Sequence, residues 1–188
     1  MTREEALERS ANVIPDEIDV YIDLSNAKSG EEAFFSKSTI RFETKSSSIF
    51  VDLVAKSVEE VRVDGAPANY EVTDTRVLVK DLPTDHPVSL EIESRCYYST
   101  TGEGLHRYID PEDGATYLYT QFEPTDARRA WACFDQPDLK LRWQFSVKAP
   151  SDWIILSNQP EQSRNTVGEL AEVTFKRTPP LSSYITAV

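Results

Sequence analysis

With 188 residues, 39% of them hydrophobic, the chain has room for one large all-β domain or two small ones, and its composition excludes wholesale disorder. The formal charge is −12, from 32 acidic against 20 basic residues. That balance excludes nucleic acids and anionic membranes as partners, because both are held through basic patches. It fits a soluble cytoplasmic protein kept apart by its charge, and more weakly a body that attracts cationic groups such as free amino termini.

The first residues, Met1-Thr-Arg-Glu-Glu-Ala-Leu-Glu-Arg, are charged and lack the apolar run of a signal peptide. Thr2 followed by Glu5 has capping-box spacing and predicts a short helix over residues 3–11. After Pro15 the period becomes two: Ile18, Val20, Ile22 and Leu24 fall on one face, as a half-buried strand requires. The alternation recurs at Ile40 and Phe42, at Ile49, Val51 and Leu53, and at Val61 and Val63. These last run into the turn pair Asp64-Gly65. Further strands are predicted around Tyr70, Val77 and Val88–Ile92, then over 143–147, 153–156, 170–175 and 184–188. About ten strands between turn residues predict an all-β fold: an antiparallel, saddle-like β-sandwich with a short N-terminal helix. No stretch approaches the roughly 20 apolar residues of a membrane span. Cys96 and Cys133 have no metal-ligand spacing and read as reduced thiols of a cytoplasmic protein.

Residues 94–137 break the rhythm. They read as a long loop with Gly102, Gly104 and Gly114, interrupted by a strand over 116–122 and a compact polar turn at Pro124-Thr-Asp-Ala-Arg-Arg. A loop of this length inside a domain is often functional. At the end of the strand, Gln121 and Glu123 point to one face and Phe122 to the other. A carboxylate beside an amide can accept an ammonium group and bind a peptide carbonyl or amine. Equally, Glu123 could pair with Arg128 or Arg129 and pin the turn.

The run Thr120-Gln-Phe-Glu-Pro-Thr-Asp-Ala-Arg-Arg-Ala-Trp-Ala-Cys-Phe-Asp-Gln-Pro-Asp-Leu-Lys140 resembles the amino-domain signature of M1 zinc aminopeptidases, most closely the actinobacterial aminopeptidase N type. Gly104-Leu-His-Arg-Tyr-Ile-Asp-Pro and Gly114-Ala-Thr-Tyr-Leu-Tyr lead into it as in that family. Phe145-Ser-Val-Lys-Ala-Pro, Ser157-Asn and Phe175-Lys-Arg-Thr-Pro-Pro-Leu-Ser-Ser-Tyr-Ile follow it. The resemblance covers the whole chain. It implies that residues 1–188 form a single N-terminal β domain and that a catalytic, thermolysin-like domain lies elsewhere. It further implies that Glu123 helps hold the free α-amino group of a peptide substrate and that Gln121 lines the pocket for its first side chain. Tyr119 and Phe122 are expected to pack, and Arg128, Arg129 and Asp135 to brace the turn. Departures from the family pattern at Trp131-Ala132 and Gln136 bear on loop packing.

The family's zinc site is a His-Glu-x-x-His motif plus a later glutamate, which sets two imidazoles one helical turn apart with a general base beside them. This chain has only His86 and His106, and its sole methionine, Met1, rules out a Gly-Ala-Met-Glu-Asn motif. The expectation is therefore a substrate-recognition domain, inactive alone, whose zinc is held by residues outside these 188. Its partners would be its own catalytic domain and peptides with a free N-terminus. A non-catalytic scaffold domain is the alternative, and a leukotriene-hydrolase-like epoxide chemistry a third, against which an acid at position 123 weighs mildly.

Overall fold

A computed structural model describes all residues from Met1 to Val188. The chain opens with α1 (Arg3–Asn12). Its capping box is formed: the Glu5 amide donates to Thr2 Oγ1 at 3.2 Å, and the Thr2 amide donates to Glu5 Oε2 at 2.7 Å. Two of the four amides a helix start leaves unpaired are thereby satisfied.

Fourteen strands follow in chain order: β1 (Val13–Asp23), β2 (Ala33–Thr44), β3 (Ile49–Asp52), β4 (Ser57–Val63), β5 (Ala66–Pro67), β6 (Asn69–Thr73), β7 (Arg76–Lys80), β8 (Val88–Tyr97), β9 (Gly104–Ile109), β10 (Thr116–Gln121), β11 (Leu141–Pro150), β12 (Glu161–Val167), β13 (Leu170–Phe175) and β14 (Pro180–Leu181). The largest sheet runs β12-β13-β11-β1-β2-β8-β4-β5, with β14 beside β11. A second sheet runs β3-β7-β6, and β9 and β10 form a separate hairpin. The expected all-β class with one short helix is what the structure has. The purely antiparallel pattern is not: β1 and β11 pair in parallel, with Glu17 opposite Arg142 and Asp23 opposite Lys148.

Period-two burial explains the large sheet. Ile18, Val20 and Ile22 of β1, Ile40 and Phe42 of β2, Leu90 and Ile92 of β8, and Trp143, Phe145 and Val147 of β11 all turn to one face. Val51, Val77 and Val79 of the three-stranded sheet close the same core. Asp64-Gly65 turns β4 into β5 with φ of 52° and 81°. Two consecutive positive φ angles are what the tight hairpin turn needs, and glycine adopts one without strain.

Three local expectations fail. Within residues 94–137 the strand expected over 116–122 is present as β10, but the stretch before it is not loop throughout, since β8 extends to Tyr97 and β9 pairs with β10. Residues 153–156 are irregular, not a strand. Residues 184–188 contain part of a 3-10 turn, Ser183–Ile185, in place of an apolar strand.

A buried ion pair ties α1 to the sheets. Arg9 donates to Asp52 Oδ2 at 2.7 Å with both side chains only 2% exposed, and to Gln136 Oε1 at 2.9 Å. Asp52 Oδ2 also accepts the Asp135 amide at 3.0 Å. Gln136 Nε2 donates to Ser10 Oγ and to the Ala6 carbonyl. Every charge taken out of water thus meets a partner, the condition under which a buried pair is tolerated.

Candidate functional site

Phe122 anchors the site. Its ring is buried and meets Trp131 edge-on at 4.9 Å; Trp131 in turn packs on Phe145 at 5.1 Å, and Phe145 stacks on Trp143. With Phe122 driven inward, its neighbours Gln121 and Glu123 stand in solvent. The expected alternation is therefore present at the end of β10.

The two residues are coupled through the backbone. Gln121 Oε1 accepts the Glu123 amide at 3.2 Å, and Gln121 Nε2 reaches the Glu123 carbonyl at 3.5 Å. The Gln121 amide thus fixes the main chain of Glu123, whose carboxylate makes no ion pair and no side-chain hydrogen bond. The alternative pairing with arginine is not made: Arg129 bonds Asp126 at 2.7 Å, and Arg128 donates to Thr125 Oγ1 at 3.3 Å. A cis peptide joins Glu123 to Pro124.

The turn beneath is held from several directions. The Asp126 amide donates to the Phe122 carbonyl, and Ala127 and Ala130 are fully buried. The Arg128 carbonyl accepts the Val54 amide at 2.7 Å, and the Arg128 amide donates to Asp135 Oδ2. Asp135 also accepts Ser183 Oγ at 2.6 Å. Burial raises the Asp135 carboxyl above its usual 3.8, with the nearby Asp52 charge adding, against the pull of Ser183 and the Arg128 amide. Gly104 sits opposite Gln121 across the hairpin with φ +71°. A Cβ there would come within 2.9 Å of Arg129 Cβ, so β9 can approach the turn this closely only because residue 104 has no side chain.

Arg128, Arg129 and Asp135 brace the turn, and Phe122 packs, as expected. Tyr119 does not pack inward. It is exposed on the Gln121 face of β10, its ring 4.8 Å from that of His106. His106 Nδ1 accepts the Gly102 amide, a loop anchor. His86 lies in a distant turn, where hydrogen bonds to the carboxylates of Asp85 and then Asp64 raise its pKa above 6.5. Trp131 and Gln136, the departures from the family pattern, fill defined places: one in the aromatic core, the other on Arg9. Arg9 and Asp52 are the residues that sequence reasoning missed, because nothing local marks a helix arginine as buried.

Fold and site together define an all-β domain that presents one free carboxylate at a strand end and gathers no group of three or more His, Cys, Asp or Glu side chains able to hold a metal. Residues 15–185 match the family model of the Peptidase M1 N-terminal domain. The chain belongs to that family. It is 42% identical over 193 residues to aminopeptidase N of Streptomyces lividans, a match covering 100% of this chain and 22% of the relative. A probable aminopeptidase 1 of Sulfurisphaera tokodaii is 30% identical over 156 residues, covering 82% of this chain and 19% of the relative. Among solved structures, the M1 zinc metallopeptidase of Deinococcus radiodurans superposes with a TM-score of 0.77 at 19% identity, over 94% of this chain and 41% of that one. The chain thus spans about a fifth of the length of the curated relatives it matches.

The zinc that the family name implies finds no fit in these residues. The two histidines are separately committed, one to Gly102 and one to Asp85, and no ligand cluster surrounds either.

Proposed function

We propose that this chain is the amino-terminal substrate-recognition domain of a cytoplasmic zinc aminopeptidase that removes the first residue from peptides, and that it is inactive by itself. The observation that carries this is the exposed Glu123 carboxylate, free of any cation, on a backbone that Gln121 holds in place. A peptide's α-ammonium would supply the missing cation, and Gln121 would line the pocket for the first side chain. Anchoring the amine sets the first peptide bond at a fixed distance from the reacting groups, which is how binding energy becomes positioning. The zinc and the general base would come from a catalytic domain outside residues 1–188. The relatives' names support the activity, and two buried free thiols fit a reducing compartment.

A charge-assisted hydrogen bond is worth about 1.5–3 kcal/mol, or roughly ten- to a hundredfold in an equilibrium. In the full-length enzyme, Glu123→Ala should lower kcat/KM for an aminoacyl reporter by that factor, with Glu123→Gln intermediate. Residual hydrolysis of the same reporter blocked by an N-acetyl group should be unchanged. An unaltered kcat/KM in the alanine variant would refute the anchor and leave the domain a scaffold role.

A further inference from the structure

Asp135 is a buried carboxylate that stability alone does not call for. It is 2% exposed, and its oxygens meet neutral donors: the Arg128 amide at 3.3 Å on Oδ2 and the Ser183 hydroxyl at 2.6 Å on Oδ1. A carboxyl taken out of water without a cation in contact is costly, and burial holds its pKa above the usual value. Residues that break the rules of a stable core in this way concentrate where a site has to be held in place. The carboxylate also stands on firm backbone. Asp52 and Cys133 exchange amide–carbonyl hydrogen bonds at 2.9 and 3.1 Å, and the Asp135 amide donates to Asp52 Oδ2 at 3.0 Å. Asp135 thus rides on the end of β3, where Arg9 locks Asp52.

From there it grips the far end of the turn that carries Glu123. Within that turn the Asp126 amide returns to the Phe122 carbonyl at 3.0 Å, and the Arg129 amide to the Asp126 carbonyl at 3.1 Å. Gln121 holds the near end through the Glu123 amide. The Glu123 side chain has no bond of its own, so its carboxylate stands wherever the peptide between Phe122 and Arg128 puts it. Ser183 closes a circuit around this stretch. At the other end of its segment the Val188 amide donates to Thr120 Oγ1 at 3.0 Å, beside Gln121. Residues 183–188 therefore join both flanks of the turn, and Asp135 is their contact on the Arg128 side. We infer, on the aminopeptidase reading above, that Asp135 is a positioning residue for the amine anchor. By holding the Arg128 amide and the Ser183 hydroxyl at once, it fixes the Glu123 carboxylate where an α-ammonium meets it. Buried as it is, it touches no substrate and acts through geometry alone. Such placement matters because a shift of about 1 Å in a positioning group costs up to roughly a hundredfold in rate.

A double-mutant cycle with Glu123→Ala, in the full-length enzyme and with an unblocked aminoacyl reporter, tests this role. Asp135→Ala should lower kcat/KM about tenfold, within the loss that Glu123→Ala itself brings. In the Glu123→Ala background the same substitution should change kcat/KM by less than about twofold, because no anchor is left to displace. Asp135→Asn should retain most of the activity, its carbonyl taking the Arg128 amide and its amide group donating to Ser183 Oγ. Equal losses in both backgrounds are what a general weakening of the fold produces, and they overturn the inference. So does an Asp135→Asn variant as impaired as the alanine one. Should Asp135→Ala not fold, Ser183→Ala carries the same test. It removes one neutral hydrogen bond, and kcat/KM should fall about threefold, again only where Glu123 is present. Wild-type kcat/KM in that variant, or an equal loss in both backgrounds, overturns the inference too. Glu123→Ala without effect would sink the amine anchor and the role of Asp135 with it. A loss in Glu123→Ala alongside an additive cycle would sink the positioning role alone.

Discussion

Replacing Asp52 by alanine strips two donors of their acceptor at once. Arg9 loses its 2.7 Å ion pair and the Asp135 amide its 3.0 Å hydrogen bond. The guanidinium stays between Phe50 and Gln136, 4.3 Å from the Phe50 ring centroid, with no carboxylate to balance it. Leaving one charge of a buried pair uncompensated costs about 3–5 kcal/mol. With a urea slope of about 2 kcal/mol/M for a domain of this size, the unfolding midpoint should fall by about 2 M. Fluorescence of the buried Trp131 and Trp143 reports the transition directly. The double variant Arg9→Met, Asp52→Leu should recover a good part of the loss, since it buries no unpaired charge. A midpoint shift below about 0.5 M for Asp52→Ala, or strict additivity in the double variant, would show that the pair is not the tie between α1 and the sheets.

Further outcomes follow from single features. Asp135 should carry a pH signature: its raised pKa means that the folded state holds the proton more tightly, so this stabilising contribution is full below 3.8 and lost as pH rises through the folded value. Asp135→Asn should therefore gain on the wild type as pH increases from 3.8, and a constant difference in urea midpoint across pH would contradict this. Gly104→Ala should cost about 1–3 kcal/mol, from a strained positive φ and the 2.9 Å approach to Arg129, measured by thermal unfolding. Thr2→Ala should cost about 1 kcal/mol through the lost cap, and no measurable change would mean that α1 is held by Arg9 alone. Cys96, its thiol pushed up to about 12 by burial, and Cys133, raised for the same reason, should resist iodoacetamide in the native state and react as two thiols in denaturant.

The elements legible in the sequence are those whose two faces differ. Ile18 to Leu24 alternates with Asp19, Tyr21 and Asp23, so strand, face and core follow from the pattern, and Thr2 with Glu5 fixes the start of α1. Strand β9 hid in an expected loop, although β10 was legible, because Tyr108 and Ile109 face water and leave no apolar side to count. Residues 153–156 misled for the converse reason: four apolar residues imply burial on both faces, whereas only Trp153 and Ile155 turn inward. In α1 the roles are inverted, with Leu7 in solvent and Arg9 in the core, a reversal that only the distant Asp52 explains. At the site, the alternation placed Gln121 and Glu123 correctly. That Gln121 turns its amide onto the Glu123 backbone depends on the path of the turn, which residue types alone do not specify.

The parallel pairing of β1 with β11 also governs how the chain is made. β2 can pair with β1 across a short connection as soon as both exist. The other edge of β1 must wait for residues 142–148, well over a hundred positions later. Until then a strand carrying Ile18, Val20 and Ile22 stays open along one side while translation, at about 5–20 residues per second, proceeds for several seconds more. Closing so long a connection is slow, and an uncovered apolar edge invites pairing with other chains meanwhile. The nascent chain therefore passes through an interval in which the middle of its largest sheet is an edge, and shortening it before residue 148 would make that exposure permanent.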